Sequence, residues 1–298
     1  GDGVIQPATS KAGAWVVVAV VGCAALLGCD RTERNIRDAG SNNPTRQIPA
    51  AEWLARNPTP DALAALELGM QSTHLDVRVA SARAIAATGD ARAARAASRI
   101  LRADALGHDP KVAETALAGM GAIGGPALPD LITVALLATD GYVRALVRGT
   151  IAEGLASASP GDRVAATAAL LDGVAESDAD LYRAAYGNLV AFAPLVQGEL
   201  VDTGLPHTNR RVQVSTMMAM ADSSCVGAGP AIARFLGDAD AVLRAEAARS
   251  LGALGTTSAL PELRRVASSD PVLDVRKAAR DAEEGISALL PPDADPLP

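Results

Sequence analysis

One short pattern returns along this chain at intervals of about one helical hairpin, and it leaves few folds open. It is clearest in Asp76-Val77-Arg78-Val79-Ala80-Ser81-Ala82-Arg83-Ala84-Ile85 and in Ala241-Val242-Leu243-Arg244-Ala245-Glu246-Ala247-Ala248-Arg249-Ser250-Leu251. In each copy an arginine is followed by small residues, then a large aliphatic seven positions on, then glycine eleven on (Gly89 and Gly255). Weaker copies are anchored at Ala113, Arg144, Arg183, Gln213 and Arg276, so successive anchors lie 35, 31, 39, 30, 31 and 32 residues apart. A period of that size is one supersecondary unit that cannot bury its apolar face alone, so neighbours must stack. The spacing predicts an all-α solenoid of about seven helical hairpins over residues 58–290.

A second helix follows the first in each unit, expected over residues 91–103, 126–138, 162–174, 195–201, 230–236 and 260–267. Glycine after the first helix supplies a left-handed cap. Asp109, Asp140, Asp240 and Asp270 stand where N-caps are needed. The composition agrees with this reading. The chain has 64 Ala among 298 residues, and only two Phe, three Tyr and two Trp. Alanine favours helix, whereas strands favour rings and β-branched residues. The pattern apolar-x-Arg-x-x-Ala-Ala-x-x-Leu-x-x-Leu-Gly resembles HEAT repeats of the bilin-lyase-like type. An Ala-Leu-Pro-x-Leu helix follows it, as in Ala259-Leu260-Pro261-Glu262-Leu263 and Ala127-Leu128-Pro129-Asp130-Leu131. The resemblance covers roughly residues 60–288 and implies a helical-repeat scaffold that binds another protein. It also implies a rival, a repeat-type enzyme or chaperone related to bilin lyases. In such families the recurring arginine pairs with an aspartate of its own or the next unit, here Asp76, Asp140, Asp180, Asp240 or Asp274.

The start of the chain has another character. Residues 12–28 carry no charge, contain the run Trp15–Val21 and follow Lys11. That length suits the apolar core of a secretory signal and lies at the lower edge for a membrane span. Leu26-Leu27-Gly28-Cys29 resembles the bacterial lipobox, which implies cleavage before Cys29 and lipidation of its thiol. The expectation is therefore a lipoprotein signal over 1–28, or an uncleaved anchor that would make the chain an integral subunit of an envelope complex. A flexible tether over 29–57 and a disordered tail over 291–298 are expected as well. Both N-terminal readings put the repeats in the bacterial envelope, outside the cytoplasm. Asp30 after the cysteine slightly favours the inner membrane.

No reactive constellation is visible. His74, His108 and His207 sit apart in polar linkers, which is not the convergence a metal site needs. Cys225 has no histidine near it in sequence and reads as a buried, inert thiol. No phosphate loop, HExxH pair or GxSxG elbow occurs, so the expectation is a non-enzyme with no cofactor and no small-molecule substrate. A net charge of −7 and few rings oppose nucleic-acid binding. The expected contact surface is Arg92, Arg95, Arg99 and Arg102, which would suit a protein partner with an acidic or polar face. A radioactive fatty acid is expected to label the wild type but not Cys29→Ser. Persistent label on the variant would remove the lipid anchor.

Overall fold

The computed structural model describes residues 31–290, and among these there is no strand. The signal segment, Leu26, Leu27, Gly28, Cys29 and the tail over 291–298 lie outside the described residues. Residues 31–39 are themselves helical, and among the described residues fourteen α-helices follow besides the single α turn Gln197–Glu199. They are α1 Pro44–Arg56, α2 Leu63–Met70, α3 Leu75–Ala87, α4 Ala91–Ala105, α5 Pro110–Ile123, α6 Leu128–Leu137 and α7 Gly141–Ser157. After these come α8 Pro160–Ala175, α9 Ala179–Phe192, α10 Arg210–Asp222, α11 Gly229–Ala233, α12 Ala241–Ala253, α13 Leu260–Ser269 and α14 Leu273–Ala288. An irregular segment, Ala193 to Gly204, stands where a second helix follows α9. The described residues thus form seven hairpins, from α1–α2 to α12–α13, with α14 after them. They fall into two compact units that divide after Ala97, within α4.

The first unit corrects the expected tether. Residues 29–57 look polar and aperiodic, but 31–39 and α1 are helical, and Gly40 to Asn43 is only the turn between them. Asn43 caps α1 by accepting from the Thr45 N–H, and Pro44 stands at the first turn, where no donor is needed. Gln47, Ala50, Ala51 and Leu54 are buried at a spacing of three, one and three, one helical stripe that packs on α3. The charged run from Arg31 to Arg46 hides that stripe from a reading of hydropathy alone. Its charges face solvent, and Arg31 lies over the Trp53 ring at 5.6 Å.

In the second unit the first helices pack in order, α5 on α7, α9 on α10, α10 on α12 and α12 on α14, with α6 against α8 in the other layer. Asp109, Asp140 and Asp240 cap α5, α7 and α12 as expected. Asp270 does not cap α14, whose N-cap is Val272. Gly89, Gly124 and Gly255 follow first helices with φ of +77°, +74° and +62°, where a side chain would be strained. Alanine and glycine set the distance between helices. A Cβ added at Gly252 of α12 would lie 2.9 Å from both Cα and Cβ of Ala282 on α14. Among the described residues no helix is long and apolar enough to cross a membrane.

Two glycine substitutions should therefore act with opposite sign. Gly252→Val pushes against backbone that cannot yield, and is expected to cost about 2 kcal/mol. Gly149 is exposed in mid-helix α7 with nothing near its missing Cβ, so Gly149→Ala is expected to gain about 0.5–1 kcal/mol. Urea melts of the two variants check both signs.

Candidate interaction surface

The recurring arginine proves to be a helix cap. Arg78, Arg144, Arg244 and Arg276 each occupy the fourth position of a first helix. Each donates to the carbonyl six residues back, at the end of the preceding second helix. The distances are 2.6 Å to Ser72, 3.1 Å to Ala138, 2.8 Å to Asp238 and 2.6 Å to Asp270. The last carbonyls of a helix lack intrahelical partners, and a cation there also suits the helix dipole. Gln213, at the fourth position of α10, donates instead to the Leu205 carbonyl, eight residues back, at 3.0 Å.

The expected pairings change accordingly. Arg244 is held by Asp270, at the C-terminal end of α13 in its own hairpin, through Nε to Oδ2 at 2.7 Å and Nη2 to Oδ1 at 3.1 Å. Asp240 instead takes Arg210, at 2.9 Å. Arg183 pairs with Asp180 at 3.2 Å, and both are exposed. Arg183 stands at the fifth helical position of α9, about 100° round from the others, so it does not reach the cap site. The fourth position there is Tyr182. Its hydroxyl meets Ser215 Oγ at 3.1 Å, and the Arg211 guanidinium covers its ring at 4.1 Å. Tyr186 stacks on Tyr182 and donates to Asp222 at 2.6 Å. Burial first, and this hydrogen bond second, push its hydroxyl far above the ordinary tyrosine range.

On α4, Arg92, Arg95 and Arg99 are exposed, while Arg102 is committed to the buried Asp130 at 2.9 Å. The expected contact face is thus partly spent on the fold. Cys225 is buried, with Ser223 Oγ 3.3 Å from its sulfur. His74 and His108 are exposed, and His207 Nδ1 accepts from the Asn209 N–H at 3.0 Å.

A groove of about 490 Å³ opens between the two irregular second helices of the second unit. Its walls are Val201, Leu205, Pro206, Ala231 and Phe235, with Asp202, Arg234 and Asp238 at its edges. It exists because these segments are not regular helices. Leu200–Gly204 is a π turn, and α11 ends after one turn in the 3₁₀ turn Arg234–Gly237. Gly204 closes tightly on the next helix, since a Cβ there would fall 2.7 Å from Thr216 Oγ1. Phe192, the other phenylalanine, is buried, whereas Phe235 remains partly exposed on the groove wall. Sequence reasoning missed this groove. The signals were a rare ring at 235 and second-helix segments too short for the period. A second groove, of about 610 Å³ between α12 and α14, has Arg249 and Lys277 opposed by Asp274 and Asp281 and favours neither sign of partner.

This architecture defines a helical-repeat protein. Residues 200–282 match the family model described as HEAT repeats, so the stretch that contains the 490 Å³ groove is built of them. No curated protein matches the chain. Among solved structures it is similar to human deoxyhypusine hydroxylase in complex with glycerol, with 17% identity and a TM-score of 0.34 over 89% of this chain and 99% of that one. It is also similar to an engineered protein, with 20% identity and a TM-score of 0.32 over 87% and 79%. A third is Kap121p bound to Nup53p, with 13% identity and a TM-score of 0.39 over 86% of this chain and 33% of that one.

The arginine ties also make stability fall in acid. Arg244 holds the Asp270 carboxyl below the usual carboxylate range, and Arg163 does the same to Glu199. A lowered folded-state pKa contributes stability that is complete above about pH 4 and is lost as pH falls through the folded value. Arg244 and Asp270 are only 11% and 6% exposed, so Arg244→Ala strands a carboxylate and is expected to cost about 3 kcal/mol at neutral pH. Its stability should also fall less steeply than the wild type's from about pH 5 to pH 3. Parallel acid-limb slopes in urea melts would contradict this assignment.

Proposed function

We propose that this protein is a non-catalytic scaffold, tethered to the bacterial membrane on its extracytoplasmic side, that binds a partner protein. The observation that carries the binding role is the groove within the HEAT repeats of residues 200–282, where apolar side chains stay open to solvent. Stacked repeats hold such surfaces rigid without needing the partner to complete their core. Leu26-Leu27-Gly28-Cys29 supports the tether through a lipid on Cys29, with the inner membrane as its site. The tethered surface starts at helical residues 31–39, soon after Cys29, which would hold the repeats near the membrane.

Affinity purification of the full chain from a detergent extract of its own envelope is expected to retain a partner at fixed stoichiometry. The same partner should be lost from a chain with several wall residues of the groove replaced, including Phe235→Ala and Val201→Ser. A chain that is repeatedly recovered alone would overturn the scaffold reading.

A further inference from the structure

Charge is unevenly spread along the second unit. Residues 98–152 carry five acids and five bases, and residues 203–290 carry ten of each. Residues 153–202 carry eight acids, Glu153, Asp162, Asp172, Glu176, Asp178, Asp180, Glu199 and Asp202, against Arg163 and Arg183 alone. Among residues 98–290 the surplus of negative charge therefore lies in this one stretch. Both of its arginines are already engaged. Arg163 holds Glu199 from Nε at 2.5 Å and from Nη2 at 3.0 Å, and Arg183 holds Asp180.

This stretch runs into the groove. Its last acid, Asp202, is exposed on the groove's edge, in the π turn that packs beside α8. On α8 the exposed stripe is Pro160, Val164, Ala168 and Asp172, spaced four apart, apolar at its start and acidic at its end, with exposed Glu176 at the C-cap. On the other edge Arg234 is exposed, and Asp238 spends Oδ1 on the Asp240 N–H at 2.8 Å. The groove is thus lined by apolar side chains, with Asp202 on the edge that packs beside α8 and Arg234 and Asp238 on the other.

From this we infer that the groove takes a basic segment of the partner protein, with one aliphatic side chain seated against Phe235 and Leu205. Its cationic residues run from Asp202 toward Asp172 and Glu176, away from Arg234. The inference rests on the scaffold reading above and reverses the sign of partner that the arginines of α4 suggest. Burial of the aliphatic group supplies affinity, and the acids supply orientation and a salt-dependent encounter rate.

The test uses the full chain in detergent micelles and a short fluorescein-labelled peptide of lysine, arginine and glycine with one central leucine, read by fluorescence anisotropy. Two companion peptides replace that leucine by glycine, or every cation by glutamate. The leucine-containing basic peptide should bind, and its affinity should fall steeply with added salt. The glycine companion should bind about tenfold more weakly, and the acidic one not at all. Asp202→Lys with Asp172→Lys should weaken the basic peptide by about tenfold or more. Both positions are exposed, so the variant is expected to melt as the wild type does. Phe235→Ala should weaken it by a similar factor, with its folding checked by circular dichroism. Failure of the wild type to bind, equal binding of the acidic peptide, or an unchanged affinity in the lysine variant would overturn the inference. If the envelope partner is still retained by the lysine variant, the groove assignment fails while the scaffold survives. If neither peptide nor partner binds any form of the chain, both fail.

Discussion

Carbonyl groups at the ends of the second helices are what this stack must satisfy, and the guanidinium at the fourth position of the next first helix is how it does so. Ser72, Ala138, Asp238 and Asp270 each present such a carbonyl, and Arg78, Arg144, Arg244 and Arg276 each reach back six residues to it. The contact fixes the angle between one hairpin and the next, because the donor sits one turn into its helix. Arg244 goes further, since the same side chain also clamps Asp270 at the end of the second helix of its own hairpin. Small residues then allow the close approach that the caps prescribe, as at Gly252 against Ala282.

That use of arginine shapes the surface left over. Guanidiniums committed to carbonyls or carboxylates are not available to a partner, and in the second unit this applies to Arg102, Arg144, Arg163 and Arg244. Positive charge is thereby spent on holding the hairpins together. The negative surplus remains at the surface, on Asp172, Glu176 and Asp202. A sequence rich in arginine and poor in rings suggests an acidic partner. Once the ties are seen, the apolar groove and its acidic approach are the better-formed surface.

In the unit at α9 the arginine stands one residue late, whereas α5 and α10 carry Ala113 and Gln213 at that position. With Tyr182 at the cap position, the hydroxyl turns to Ser215 of the next first helix and Arg211 covers the ring. The following second helix is broken into 3₁₀, α and π turns between Ala193 and Gly204. The groove lies beside this irregularity, where regular second helices would have packed shut.

The chain by itself determined the repeat, its period, the glycine and aspartate caps, and the close helix packing, because these depend on residues near one another in sequence. Period failed only where charges masked a stripe, as at Gln47, Ala50, Ala51 and Leu54 of α1, or where one residue shifted the register, as at Arg183. Tertiary structure alone decided which acid each arginine meets, because Arg163 and Glu199 are brought together by stacking of separate hairpins, and Arg244 and Asp270 by the closure of one hairpin. It also decided that Phe235 lines a groove while Phe192 fills the core. Burial of either ring depends on the neighbouring segment, which beside Phe235 is the π turn Leu200–Gly204 and the residues after it.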